Sequence, residues 1–161
     1  MPVERPNLHA KLDQIDWQIL RELQGDGRIT NVELARRVGI SAPPCLRRVR
    51  SLEEAGIIKA YRARLDEKAL GYSVTAFAMV SLASQADADL ILFEEQVSGW
   101  PLVRECYILS GEVDFLLKCV ARDLEDFQAF VFELTKARNV KSVRTTLTIR
   151  QIKDEAGVPL A

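Results

Sequence analysis

The hydrophobic period of the chain changes after Gly56, and this change limits the fold more than any other feature of the sequence. Before Gly56, apolar residues recur at spacings of three and four, as Leu12, Ile15 and Ile19 do, which is the period of an amphipathic helix. After Gly56, short apolar or alternating segments follow one another between turn residues, which is typical of strands. We therefore expect an α+β chain with a helical first unit and a mixed second unit.

The first unit is predicted to contain three helices. The first covers residues 12–24, the second begins after Thr30 and ends at Gly39, and the third runs from Ser41 to about Ala55. Thr30 and Glu33 fit a capping box, in which each side chain bonds the backbone amide of the other residue. Two short helices joined by a glycine turn, the second rich in arginine, are typical of a helix-turn-helix DNA-binding domain.

The second unit is predicted to have the element order βαββαβ. Its predicted strands cover residues 73–82, 103–109, 113–120 and 143–149, and its predicted helices cover residues 89–98 and 123–134. This order favours a ferredoxin-like domain, with a four-stranded antiparallel sheet and both helices on one face. The other face then lacks a cover, so we expect a second copy of the chain to bury it in a homodimer.

These predictions divide the chain into three parts. Residues 1–60 form the helix-turn-helix domain, residues 61–72 connect the two units, and residues 73–161 form the second domain. The alternation of residues 58–65 predicts a connecting strand at the junction.

The charge distribution favours double-stranded DNA as a partner. The net charge of −1 and the pI of about 5.9 argue against this partner when taken alone. Between Leu34 and Leu52, however, there are five arginines and no acidic residue, so one basic face lies on an acidic body. A solvated charged surface without a partner is the alternative interpretation.

A helical wheel of the third helix selects the contact residues. Leu46, Val49 and Leu52 form its inward stripe, so Arg47 and Ser51 point most directly outward. Pro43 and Pro44 remove the amides from which the Ser41 hydroxyl would otherwise accept, so either Ser41 is an uncommitted cap or the cap moves to Ala42. In both cases the Ser41 hydroxyl is expected to be free for a phosphate; the alternative is that the two prolines only stiffen a turn. The predicted DNA contacts are Arg36, Arg37, Ser41, Pro44, Arg47, Arg48, Arg50 and Ser51.

Asp114 is the main candidate for a ligand contact in the second unit. It lies in an apolar run, where an unpaired carboxylate is costly unless it is exposed or has a partner. The ammonium group of an amino acid is one such partner, with the amides around Gly111 holding its carboxylate; a solvated hairpin aspartate is the alternative. Gly111 is expected to have a positive φ in a tight turn. Tyr107 and Thr146, expected on neighbouring strands, are weaker candidates.

Catalysis, metals and membranes find little support in the sequence. His9 is the only histidine, and the three cysteines (Cys45, Cys106 and Cys119) have neither a base nearby in sequence nor metal-ligand spacing. No apolar run approaches the roughly 18 residues of a membrane span. We therefore expect a cytoplasmic protein that is not an enzyme, with no cofactor, no metal and no membrane partner.

Three stretches of the first unit combine this helical periodicity with regularly placed charges and glycines. They are Leu12-Asp13-x-x-Asp16-x-x-Ile19-Leu20, Glu33-Leu34-Ala35-x-x-Val38-Gly39-Ile40-Ser41 and Pro44-Cys45-Leu46-x-Arg48-Val49-x-x-Leu52-Glu53. Together they resemble the helix-turn-helix half of the Lrp/AsnC family of feast/famine regulators. The resemblance continues through Ser110-Gly111-x-x-Asp114-Phe115 into the family's effector and oligomerisation domain, and covers nearly the whole chain.

The resemblance implies a bacterial or archaeal transcription regulator. Members of the family dimerise, often assemble four dimers into an octamer, and respond to an amino acid or a related small molecule. The resemblance also implies an effector pocket at the loop around Gly111 and Asp114, near the contact between dimers. The alternative is an architectural oligomer that binds DNA through the same first unit without any ligand.

Overall fold

A computed structural model describes residues 12–155 and 157–160, and these fall into two compact units. The first unit contains the described residues up to Arg64 together with the segment from Asp154, and the second unit is Leu65–Lys153. The segment from Asp154, which the sequence-based division assigns to the second domain, thus groups with the first unit. No helix of the described residues is long and apolar enough to cross a membrane.

Three helices form the first unit, as predicted. They are α1 (Gln14–Gly25), α2 (Asn31–Val38) and α3 (Ala42–Glu54). α2 ends at Gly39, which has a left-handed φ of 74° that only glycine adopts without strain.

The capping of these helices differs from the prediction. Thr30 caps α2 by accepting from the amide of Glu33, but the Glu33 carboxylate binds Arg36 and Arg37 and does not return to Thr30. The complete capping box lies at the start of α1 instead, between Asp13 and Asp16. The predicted box at α2 was therefore half right, because arginines one turn along the helix compete for the same carboxylate.

The core of the first unit lies between the three helices. Its most deeply buried side chains are Ile19 of α1, Leu34 of α2, and Cys45 and Leu52 of α3. Leu46, predicted to face inward, is 39% exposed. The inward stripe of α3 is therefore Cys45, Val49 and Leu52.

The predicted connecting strand at residues 58–65 does not form. These residues have no regular secondary structure and no pairing strand among the described residues, and most of them are exposed. Their alternation alone could not make a strand, because a strand needs a neighbouring edge with which to exchange hydrogen bonds. Tyr61 instead donates through its hydroxyl to Glu53 at 2.9 Å.

The C-terminal segment contacts the first unit through its backbone. Gln24 Nε2 donates to the carbonyl of Val158 at 2.7 Å, and the amide of Val158 donates to Gln24 Oε1 at 3.3 Å. Gly157, which precedes Val158, has a positive φ of 86°. A Cβ at this position would lie too close to the side chain of Gln24. Arg64 and Asp154 also form an ion pair.

The second unit has the predicted βαββαβ order. Its elements are β1 (Val74–Leu82), α4 (Asp87–Ser98), β2 (Val103–Ile108), β3 (Phe115–Ala121), α5 (Leu124–Lys136) and β4 (Val140–Leu147). The strands form one antiparallel sheet in the order β2-β3-β1-β4. This confirms the ferredoxin-like prediction.

Both helices pack against one face of this sheet. Alternate residues of β1, from Ala76 to Leu82, are buried against Phe93 of α4 and Phe130 of α5. Phe93 is fully buried, and its ring centroid lies 4.6 Å from that of Phe115. The opposite face, which includes Phe77 and Leu116, carries no helix among the described residues and is only partly buried.

Replacing Phe93 with alanine is expected to lower the free energy of unfolding by about 3–5 kcal/mol, because a large cavity would remain in a closed aromatic core. Denaturant unfolding at one fixed protein concentration measures this. Glu95→Ala, at an exposed position of the same helix, is the control and should change stability by less than about 0.5 kcal/mol. A Phe93→Ala protein as stable as the parent would contradict this core.

Candidate nucleic-acid interface and effector loop

The start of α3 leaves one hydroxyl without a capping bond. Ser41 is the N-cap of α3, and its side chain makes no capping hydrogen bond. The reason is covalent, because Pro43 and Pro44 stand where the amides would donate. The prediction that Ser41 is uncommitted as a cap is thus confirmed. Ser41 and Pro43 are exposed and Pro44 is half-buried.

The buried stripe of α3 determines which arginines face outward. Because Cys45 replaces Leu46 in this stripe, the helix is rotated by about 30° from the predicted wheel. The rotation brings Arg50 towards the outward face beside Arg47 and turns Arg48 towards the rest of the unit. Arg47, Arg50 and Ser51 are exposed, whereas Arg48 is half-buried.

Arg47 and Arg50 are available for a partner. Within the part of the chain that the structure describes, neither side chain forms an ion pair or a hydrogen bond. Two outward arginines without an internal acid can bind an external anion without first breaking an existing contact.

Arg36 and Arg37 are exposed on α2 but already have acidic partners. Arg36 Nη2 lies 2.6 Å from Glu33 Oε1, and Arg37 contacts both Glu33 at 2.9 Å and Glu22 at 2.8 Å. Hydrogen bonds from Arg36 and then Arg37 lower the pKa of Glu33 to about 2. Glu33 therefore remains ionised at neutral pH and offsets part of the positive charge on this surface.

Arg48 contacts the start of α1. Its Nη1 lies 2.8 Å from Asp13 Oδ2 and 2.8 Å from Asp16 Oδ1. The Asp16 amide, and to a smaller extent Arg48, holds the pKa of Asp13 below its usual value. Asp13 and Asp16 were not among the predicted site residues, although the D-x-x-D spacing ahead of an apolar run is the signal of a capping box.

Asn31 makes a further contact that the sequence analysis missed. Its Nδ2 donates to the carbonyl of Ala42 at 2.8 Å, which joins the first residue of α2 to the first residue of α3. The contact fixes the approach of the two helices at their starts. Sequence alone gives no signal for it, because the partner is a backbone carbonyl eleven residues away.

The loop between β2 and β3 is wider than predicted. It runs from Leu109 to Asp114 and is closed by a hydrogen bond from the Leu109 amide to the Asp114 carbonyl at 2.8 Å. Gly111 was expected to have a positive φ and does not, because the longer loop does not need the tight turn. It is exposed, with open space around the position of a Cβ.

Asp114 is buried at the base of this loop, with 8% of its surface exposed. Its Oδ2 accepts from the amide of Leu82 at 2.7 Å, and its Oδ1 accepts from Gln85 Nε2 at 2.7 Å. The alternative of a solvated hairpin aspartate is therefore wrong. The carboxylate joins the loop to the end of β1 and to the segment before α4, and Gln85 is a contact that sequence reasoning did not identify.

Tyr107 and Thr146 lie on opposite edges of the sheet, so the expectation that their strands are neighbours was wrong. Tyr107 is on β2 and pairs with Leu116, whereas Thr146 is on β4 and pairs with Phe77. Three strand spacings, about 14 Å, separate the two edges. The order of strands depends on tertiary pairing, and the sequence spacing of these residues does not encode it.

The described residues contain no cluster of metal ligands, and their two buried thiols are not reactive. No three His, Cys, Asp or Glu side chains in residues 12–155 and 157–160 are grouped so that they could hold a metal ion. Burial raises the pKa of the Cys119 thiol to about 12 and also raises the pKa of Cys45. These two thiols therefore stay protonated and are poor nucleophiles at neutral pH.

Two family models match the chain. The model described as a winged helix-turn-helix DNA-binding domain matches residues 12–59. The model described as the Lrp/AsnC ligand binding domain matches residues 75–158.

Individual proteins resemble the chain over nearly its whole length. A leucine-responsive regulatory protein from Rhizobium meliloti is 62% identical over 154 residues, which cover 95% of this chain and 99% of the relative. The Bkd operon transcriptional regulator of Pseudomonas aeruginosa is 40% identical over 94% of this chain and 99% of its own length. A Neisseria meningitidis transcriptional regulator solved in complex with L-Met superposes with a TM-score of 0.88 at 38% identity, covering 92% of this chain and 97% of the other.

Proposed function

The chain belongs to the Lrp/AsnC family of DNA-binding transcription regulators, and from that premise we propose how it reads DNA and what its second unit binds. α3 enters the major groove of double-stranded DNA, and an amino acid bound at the β2–β3 loop changes assembly or DNA binding. The observation that carries the DNA half is that two outward arginines of α3, Arg47 and Arg50, have no ion pair or hydrogen bond among the residues that the structure describes. Because DNA is the partner, the protein acts in the cytoplasm.

The proposed DNA face extends around these two arginines. Ser41 and Ser51 are short exposed hydroxyls suited to phosphate oxygens at either end of α3, with Pro44 beside Ser41. Arg36 and Arg37 on α2 contribute at longer range, because Glu33 and Glu22 neutralise part of their charge. The geometry of Arg47 and Arg50 favours them as readers of base edges, since arginine pairs with guanine through two hydrogen bonds.

The open face of the sheet supports a homodimer. The face that includes Phe77 and Leu116 has no covering helix in the described residues, and a two-fold copy of the same surface would bury it. Further assembly to an octamer is the arrangement that the family resemblance implies. A single amino-acid site that includes Tyr107 and Thr146 also requires two copies of the chain, because one amino acid is too short to reach both edges of the sheet.

The effector half of the proposal concerns the loop around Gly111. The loop residues 109–112 are exposed, so their amides can donate hydrogen bonds to the carboxylate of an amino acid, and Asp114 is buried at the end of the same loop. Gln85 Nε2 holds the position on Asp114 Oδ1 that an ammonium group would take. We therefore propose that the ligand displaces Gln85 and forms a charge-assisted hydrogen bond in its place. The L-Met complex of the Neisseria regulator supports an amino acid as the ligand class.

The alternative, an architectural DNA-binding oligomer without a ligand, has one observation in its favour. Both oxygens of Asp114 already have hydrogen-bond donors within the chain. A carboxylate that is fully satisfied does not need a ligand to justify its burial. The two functions share the same DNA-binding unit and differ only in whether an amino acid changes the behaviour of the protein.

Replacing Arg47 or Arg50 with alanine should weaken binding to a duplex that the parent protein selects from a random library. The expected loss is about 1–3 kcal/mol for an arginine that reads a base. Gel shifts at several salt concentrations measure this. Arg138→Ala, at an exposed position of the second unit, is the control and should bind as the parent does. Parent-like binding by both Arg47→Ala and Arg50→Ala would refute the proposed face.

Asp114→Asn should abolish the rise in melting temperature that an amino acid produces in the parent, because it preserves shape and loses charge. A panel that includes L-methionine and L-leucine provides the ligands, and light scattering follows assembly in parallel. At a ligand concentration 100 times its Kd, the parent should gain about 2.7 kcal/mol.

Gln85→Ala is the matched control, because it removes the hydrogen bond from Gln85 to Asp114 and leaves the carboxylate free for the ligand. It should respond at least as strongly as the parent. A response of Asp114→Asn equal to that of the parent would contradict the role of the carboxylate. A parent that responds to no amino acid would support the architectural alternative.

A further inference from the structure

We propose that Arg48 is a positioning residue for DNA recognition: it clamps α3 to the start of α1 and contacts neither bases nor phosphates. The inference rests on the proposed DNA-binding role of α3 and assigns a different task to one arginine of that helix. Arg47 and Arg50 contact the DNA, and Arg48 fixes the orientation in which they meet it.

The hydrogen bonds around Arg48 form a closed set. Asp13 Oδ1 accepts from the Asp16 amide at 2.9 Å, and Asp16 Oδ2 accepts from the Asp13 amide at 3.1 Å. The remaining carboxylate oxygens, Asp13 Oδ2 and Asp16 Oδ1, each accept from Arg48 Nη1 at 2.8 Å. All four oxygens therefore have a donor, and the arginine completes a structure that the capping box leaves half satisfied.

The cost of releasing Arg48 distinguishes it from its neighbours. To reach DNA, Arg48 would have to break two charge-assisted hydrogen bonds and leave two aspartates without a counter-charge near a polyanion. Arg47 and Arg50 have no ion pair to break within the described residues. A side chain that already has strong partners gains less from a phosphate than one that has none.

The burial of the pair supports a structural contact. The side chain of Asp16 is only 13% exposed and that of Arg48 is 32% exposed, so water screens this pair less than it screens the ion pairs of Arg36. A cation near the N-terminus of a helix is disfavoured by the helix dipole, and the start of α1 by itself would repel Arg48. The two aspartates account for its position there.

The contact joins distant parts of the chain. Arg48 lies 35 residues from Asp13 and 32 from Asp16, and it follows directly after the outward Arg47. Packing by Cys45 and Leu52 sets how α3 is rotated about its own axis, while a polar clamp near the middle of α3 resists tilting against α1. A small change in tilt would move Arg47 and Arg50 relative to the base edges that they read.

The experiment compares a duplex selected by the parent with an unselected duplex of the same length, over a range of salt. Arg48→Ala should reduce the preference for the selected duplex by about tenfold and leave the salt slope unchanged, because no phosphate contact is lost. Arg48→Lys should restore most of the preference, because a single nitrogen makes both contacts in the parent. Circular dichroism establishes that each variant is folded.

The decisive variant is Asp16→Asn, which weakens the clamp from the other side and removes a negative charge. If Arg48 positions α3, Asp16→Asn should lower the preference for the selected duplex as Arg48→Ala does. If Arg48 instead contacts DNA, freeing it should strengthen binding and steepen the salt slope, and this would overturn the proposal. A salt slope flattened by about one unit in Arg48→Ala would overturn it as well.

The controls separate this inference from the proposed function. Arg47→Ala, measured on the same two duplexes, tests DNA contact by α3 itself. Loss of binding in Arg47→Ala together with unchanged preference in Arg48→Ala would refute the clamp and leave the DNA-binding face intact. A parent protein that selects no duplex from a random library would refute the face, and the clamp would fall with it.

Discussion

The burial of Cys45 and Leu52, on the inner side of α3, is the constraint on which the DNA-binding unit depends. A short helix that must bury these two side chains against Ile19 and Leu34 has only one rotation about its own axis. That rotation determines which of the arginines face solvent. The different roles that we propose for them therefore follow from the apolar residues with which they share the helix.

In the second unit, the buried group that constrains the structure is polar. Asp114 is buried, and a buried carboxylate must be paired, so the β2–β3 loop is tied to Leu82 and Gln85. A ligand that binds at this loop has to exchange with a partner that is already present. In the exchange that we propose, the segment before α4 loses its hydrogen bond to Asp114, while Asp114 keeps its hydrogen bond to the amide of Leu82 at the end of β1.

Most of the fold could be predicted from local periodicity, but the pairing of elements that are distant in sequence could not. The three helices and the βαββαβ order were correct because each element carries its own hydrophobic period. The segment 58–65 alternates but lacks a neighbouring strand, and Tyr107 and Thr146 were wrongly paired because strand order is not a local property. The predicted face of α3 was wrong because Cys45 occupies an apolar position of the buried stripe, as free cysteine commonly does. The partners of Arg48 could not be identified, since they lie more than 30 residues away.

The most direct test of this account is a crystal structure of the protein bound to a duplex that it selects. The account predicts that α3 lies in the major groove, that Arg47 and Arg50 contact bases or phosphates, and that Arg48 still contacts Asp13 and Asp16. A structure in which Arg48 has left the two aspartates for a base edge would contradict it, as would a complex in which α3 lies outside the groove.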